Sequence, residues 1–167
     1  MPISMEMLQA RIKDFAKTIS SQPLGLAKHL PHPDSIHTSC ISNVEKFLKN
    51  NGGSARYGWY FLYRTSAKYG DYLIATYHAV WHNPQDLCLV DVTPFHPEEK
   101  HRPISPGGNL LFLVDDVSKP ISVGNLLIPH PSRFYPIGNN AQLVEYTKSI
   151  QKEEYAYYEQ QYGLHFE

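Results

Sequence analysis

LIATYHAVWHNPQDLCLVDVTP, residues 73–94, reads as a β-hairpin. Two runs rich in β-branched, aliphatic and aromatic residues flank the turn-forming Asn83-Pro84-Gln85-Asp86. The fixed φ of Pro84 suits the second position of a type I turn. If Asn83 and Asp86 close the turn, or His82 and Leu87 close a four-residue loop in the same register, His78 stands opposite Asp91 and Trp81 opposite Cys88. Directly opposed residues of an antiparallel pair hold their Cβ atoms roughly 4.5–5.5 Å apart, close enough for a carboxylate to accept a hydrogen bond from an imidazole. Side chains alternate along a strand, so the His78–Asp91 pair falls on one face and the Trp81–Cys88 pair on the other. Cys88 is therefore expected to be buried behind the sheet and chemically quiet.

Around the hairpin the period changes. Met5–Ile19 repeats apolar residues at three- and four-residue spacing, with Ser4 as a cap, and predicts a helix. Residues 20–37, rich in Pro and His, read as a long irregular connection. Thr38 or Ser39 can cap a second helix over residues 40–50, whose stripe is Ile41, Val44, Phe47 and Leu48 and whose end is Asn51-Gly52-Gly53. Cys40 begins its buried face. Residues 57–64 are strand-like, 69–71 form a turn, 94–108 form a Pro-rich loop, and Leu110–Val114 is a short buried strand. Residues 121–128 read as one strand interrupted by Gly124, residues 129–140 as irregular, and Ala141–Tyr162 as a C-terminal helix whose tyrosines pack on the sheet. The order predicts an α+β fold, one domain over 1–167 with N-terminal helices on an antiparallel β-sheet and helical N- and C-terminal extensions.

Bulk composition narrows the function. The 167 residues suit one core. A net charge of −1 with interspersed signs argues against a nucleic-acid footprint. No apolar run approaches the roughly 18–20 residues of a membrane span. The start of the chain, with Glu6 and Asp14, lacks the basic and apolar regions of a secretion signal. Two cysteines make no disulfide scaffold, so a reducing cytoplasmic setting is expected, although delivery into another cell stays open.

Cys40, His78 and Asp91 then converge. A helix N-terminus favours thiolate through its dipole and free N–H groups. A histidine can hold the thiol proton, and a carboxylate can fix its tautomer. In this order, with His78-Ala79-Val80-Trp81 and Leu89-Val90-Asp91-Val92-Thr93-Pro94, the stretch 38–94 resembles the papain-like cysteine hydrolase superfamily and its transglutaminase-like branch. The resemblance implies a papain/transglutaminase-like core and acyl transfer from an amide (peptide, isopeptide or glutamine side chain) through a thioester. It implies Cys40 as nucleophile, His78 as general base and acid, Asp91 as orienting group, a protein or peptide substrate, and no cofactor. It does not choose among peptidase, isopeptidase, deamidase, transglutaminase and acyltransferase. Papain-like enzymes often carry a Gln shortly before the nucleophile. Here the nearest preceding Gln is Gln22, eighteen residues upstream, so Gln22, Asn43 and Trp59 are candidates for the oxyanion hole, and Trp59 and Trp81 for the cleft lining. Loops 20–37 and 94–108 are expected to border the cleft.

Two alternatives stand beside this reading. His29, His32, His37 and Cys40 form an H-x2-H-x4-H-x2-C run that can supply zinc ligands, although Pro31 and Pro33 stiffen it and the spacing is non-standard. The same fold can also serve as a non-catalytic interaction module.

Overall fold

The computed structural model describes residues 3–99 and 103–167. The fold is α+β; the described residues form three α-helices and eight strands: α1 Met5–Ile19, β1 Leu24–His29, α2 Cys40–Asn51, β2 Ser54–Ser66, β3 Gly70–His82, β4 Leu89–Asp91, β5 Leu110–Val114, β6 Ile121–Val123, β7 Leu126–Ile128, β8 Arg133–Pro136 and α3 Ala141–Tyr162. Among the described residues, no helix is long and apolar enough to cross a membrane.

The expected antiparallel sheet is a mixed one, because the 20–37 connection contains β1, which pairs parallel to β4 through Lys28↔Val90 and His29↔Asp91. β1 also pairs antiparallel with β5, β5 with β2, β2 with β3, and β3 with β4. These pairings return to their start, so β2, β5, β1, β4 and β3 form a closed ring, and β8 extends β3 beyond it. Gly58 permits the closure. A Cβ there would lie 1.9 Å from the Leu113 carbonyl oxygen, so any side chain would force β2 and β5 apart.

Alternation then sorts the side chains. Ala27, Val80, Leu110 and Phe112 fill the ring interior, with Tyr60, Leu89 and Phe95 against them. The outer face carries Trp59, Phe61, Leu73, Ala75, Tyr77 and Leu113, covered by Ile12, Phe15 and Ala16 of α1. Ile41 and Val44 of α2 cover Ala79, Val90 and Val92 on that same face. α3 places Leu143 on Leu62, Tyr72 and Ile74, where the β2–β3 ribbon runs past the ring.

The helix ends follow local chemistry. Ser4 Oγ accepts from the Met7 N–H at 3.2 Å, and Asn140 Oδ1 accepts from Gln142 and Leu143. Ser39 occupies the N-cap of α2 without a side-chain cap bond. Two further expectations are corrected. Gly124, at φ +58, turns the chain between β6 and β7, so residues 121–128 form a small hairpin and not one strand. Residues 129–140 contain β8, whose edge position on β3 tolerates Pro136.

Candidate active site

The hairpin register is shifted by two residues from the sequence expectation. Trp81 pairs with Val90 and His82 with Leu89, and the Asn83 N–H donates to the Cys88 carbonyl. The turn is longer because Leu87, at φ +60, closes an extra bond from its N–H to the Asn83 carbonyl. His78 is therefore diagonal to Asp91, not opposite it. A slip of two preserves the face, and diagonal neighbours remain within reach of long side chains. His78 Nε2 lies 2.8 Å from Asp91 Oδ1.

Cys40 approaches from the helix that covers the outer face, whereas His78 points toward the ring interior. A gap in the sheet lets them meet. Beside β3, β8 pairs residues 72–75 and β4 pairs residues 81–82, which leaves residues 76–80 without a ladder partner on that side among the described residues. The start of α2 sits at this opening. The Cys40 thiol faces the His78 side chain and the Ala79 backbone N–H, both of which favour its ionised form. With Nε2 engaged by the carboxylate, Nδ1 is the ring nitrogen left for the thiol.

The electrostatics are mutually reinforcing. Burial pushes the Cys40 thiol up, but the His78 charge, its hydrogen bond and the Ala79 N–H outweigh this, and the thiol titrates below its ordinary value. Burial alone would lower His78, yet Asp91 and Cys40 raise it to about 10. Asp91 is fully buried. Burial works against its charge, but His78 and His29 bring it down to about 2. Each shift favours the charged form of its group, and the dipole of α2 acts in the same sense on the thiol.

A cavity of about 440 Å³ opens onto this group. Thr38, Cys40, Tyr60, His78, Thr93 and Phe95 line it, with His96, Glu98 and Glu99 from the 94–108 loop. The second loop borders the cavity as expected. The 20–37 segment does not line it, because most of it is β1 and the strand's extension. Thr38 stands at φ +69, an uncommon conformation for a β-branched residue, in the bend that delivers Cys40 to the helix start. The Cys40 backbone N–H belongs to the helix-start groups without an intrahelical partner, so it is placed to donate to an oxyanion.

The remaining predicted residues lie elsewhere. Asn43 is buried, but its amide is committed: Oδ1 accepts from the Ile36 N–H, and Nδ2 donates to the Ile36 carbonyl at 2.7 Å and to Thr93 Oγ1 at 3.0 Å. It clamps the loop before Cys40 to the strand after Asp91. Gln22 is exposed beyond the end of β1 opposite to His29. Trp59 packs under α1 on the outer face and donates to Asp115. Trp81 packs edge-on against Phe47 and donates to the Gly52 carbonyl. None of these four faces the cavity. Cys88 is half-buried at the hairpin tip, not hidden behind the sheet, because the longer turn lifts it out of register with Trp81.

The possible zinc run does not gather. His29 turns to Asp91, His32 meets Phe47 edge-on, His37 packs against His96, and Cys40 faces His78. Among the described residues, no three His, Cys, Asp or Glu side chains are placed to share a metal ion.

Sequence reasoning missed His29 as a neighbour of Asp91. Its signal is the alternation Gly25, Ala27, His29, two small residues and then a polar one on the inner face of β1, masked by the prolines that follow. Compared with protein-family models, curated proteins and solved structures, the chain matches none.

Proposed function

We propose that this chain is a papain-like thiol enzyme of the transglutaminase-like type that transfers the acyl group of an amide through a thioester on Cys40. The observation that carries the reading is Cys40 set against His78, itself hydrogen-bonded to the buried Asp91, at the wall of one cavity. A closed five-strand ring with the thiol at the start of a packed helix supports the papain-like core.

In the reaction the Cys40 thiolate attacks the carbonyl carbon, and the Cys40 N–H stabilises the oxyanion. The C–N bond breaks as the His78 imidazolium passes its proton to the leaving nitrogen. Water or an amine then attacks the thioester, His78 accepts its proton, and the C–S bond breaks to free the thiolate. Asp91 holds the imidazole orientation and stabilises its charged form. The resemblance implies a peptide or protein substrate for this cavity. Two unbridged thiols fit a reducing, cytoplasmic setting.

The test is a panel of electrophilic peptide, glutamine and ubiquitin-like probes, read by intact mass. A covalent adduct on Cys40 that Cys40→Ser and His78→Ala both abolish supports the reading. A thiol that alkylates no faster than Cys88 at pH 6–7, and that no probe captures, overturns it.

A further inference from the structure

The inner face of the ring brings a second histidine onto the carboxylate of the proposed triad. His29 Nδ1 lies 2.8 Å from Asp91 Oδ2, while His78 Nε2 lies 2.8 Å from Oδ1. Parallel pairing of β1 with β4 sets His29 directly beside Asp91, so the contact is part of the strand register and not a chance side-chain swing. The Thr93 N–H also donates to Oδ1, at 3.2 Å. An ionised carboxylate only accepts, so the His29 proton lies on Nδ1 and that of His78 on Nε2 toward Asp91.

The other side of His29 is equally defined. Its ring stacks on Phe95, centroid to centroid at 3.9 Å and 7° from parallel. Phe95 lines the cavity that holds Cys40. His29 therefore touches the carboxylate on one side and the cavity wall on the other, without reaching the thiol itself.

We propose that His29 is a positioning residue for the reaction, a fourth member of the series Cys40–His78–Asp91 that fixes the rotation of the carboxylate and solvates its charge. The inference rests on the acyl-transfer reading. Its physical basis is the burial of Asp91. With no solvent access, a lost donor is not replaced by water. The carboxylate would then carry its charge less well and turn toward its remaining donors. Both effects weaken its hold on the His78 imidazolium and, through it, on the Cys40 thiolate. The titratable groups that bear on Asp91 are His29 from β1, His78 from β3 and, more distantly, Cys40 from α2 and Tyr60 from β2.

The experiment uses the full chain carrying Cys88→Ser, so that alkylation reports Cys40 alone. The rate with iodoacetamide is followed from pH 4 to 9 for the parent, His29→Phe and His29→Asn, with thermal melts beside it. Phe keeps the stack on Phe95 and removes the donor. Asn sets its amide nitrogen near the place of Nδ1 and restores the donor. His29→Phe is expected to slow alkylation near neutral pH by about tenfold or more and to move the profile to higher pH, and His29→Asn to recover most of the rate and the profile. If His29→Phe does not fold, His29→Gln, which is polar but carries its donor at the wrong atom, takes its place with the same expectation. A His29→Phe or His29→Gln profile that matches the parent overturns the assignment, as does equal slowing in Phe and Asn with no movement of the profile. If the parent itself shows no activation of Cys40 over an ordinary thiol, the acyl-transfer reading fails first, and the two failures are thereby told apart.

Discussion

Replacing Asp91 by Asn leaves shape nearly unchanged and removes one buried charge. Asp91 accepts from His78, His29 and the Thr93 N–H and has no exposed surface. Its carboxyl sits at about 2 in the fold against an ordinary 3.8. Each tenfold change in proton affinity is worth about 1.4 kcal/mol, so the site favours the ionised form by about 2 kcal/mol. The group is lowered on folding. Its contribution is therefore present above about pH 4 and fades as pH falls toward 2. Asn presents one acceptor and one NH₂ to two imidazoles that both donate, so one ring must reverse its tautomer. If His78 is the ring that adjusts, it gives up its Nε2 proton, stays neutral with its one proton on Nδ1, and can no longer take up the thiol proton. The expected result is a loss of about 2–4 kcal/mol at pH 7, which for a domain of this size lowers the melting temperature by about 5 °C or more. The stability gap to the parent closes between pH 4 and 2. Iodoacetamide capture of Cys40 at pH 6.5 falls by about tenfold, and the proposed acyl transfer falls by about 10³–10⁴-fold. Thermal melts and alkylation kinetics read both effects. An Asp91→Asn protein that melts and alkylates as the parent does would refute the account of the site.

The two thiols are expected to separate cleanly: mass mapping after brief alkylation at pH 6 finds Cys40 labelled well before Cys88, and Cys88→Ser leaves turnover unchanged. Asn43→Ala removes one clamp bond from the Ile36 N–H and two to Ile36 and Thr93 oxygens. It should cost about 2–4 kcal/mol by denaturant titration, with the slope of the transition preserved. In the proposed reaction the proton held by His78 sets an alkaline limit, since imidazolium is lost as pH rises through about 10; a kcat that stays flat to pH 11 in a folded protein would contradict this. Thr38→Gly releases a side chain held at φ +69 and should stabilise the fold by up to about 1 kcal/mol, read as a higher urea midpoint.

Helices were the most legible part of the chain because their signals are local. Met5–Ile19 and Ala141–Tyr162 have the predicted bounds, since each has its own cap residue and its own apolar stripe. Strand pairing is a non-local property, and there the sequence said less. β1 hides between Ser20 and a Pro-rich run, and its inner positions are Gly25 and Ala27, too small to register as a hydrophobic alternation. The smallness of Ala27 has a structural use, for it is fully buried beside Leu110 inside the ring. The parallel β1–β4 pair could not be foreseen, and with it went both the closed ring and the second histidine on Asp91.

The juxtaposition of Cys40, His78 and Asp91 depends less on detail than the register does. Two changes could have separated the hairpin pair: a slip of one residue, which moves Asp91 to the outer face, or a slip of two, which moves it along the same face by about 7 Å. The turn took the second course, because Leu87 accepts a left-handed conformation and lengthens the loop by two residues. A histidine side chain spans the resulting diagonal, whereas no side chain crosses a strand's own backbone to the other face. Cys40 is the exception that makes the point, since it reaches His78 from the outer face only where β4 has ended its pairing and β8 has not begun. Filling that gap would break the contact without touching any of the three side chains. The site therefore follows from parity along β3 and from an interruption in its ladder, and these two features, more than the identity of the turn, bring the three side chains together.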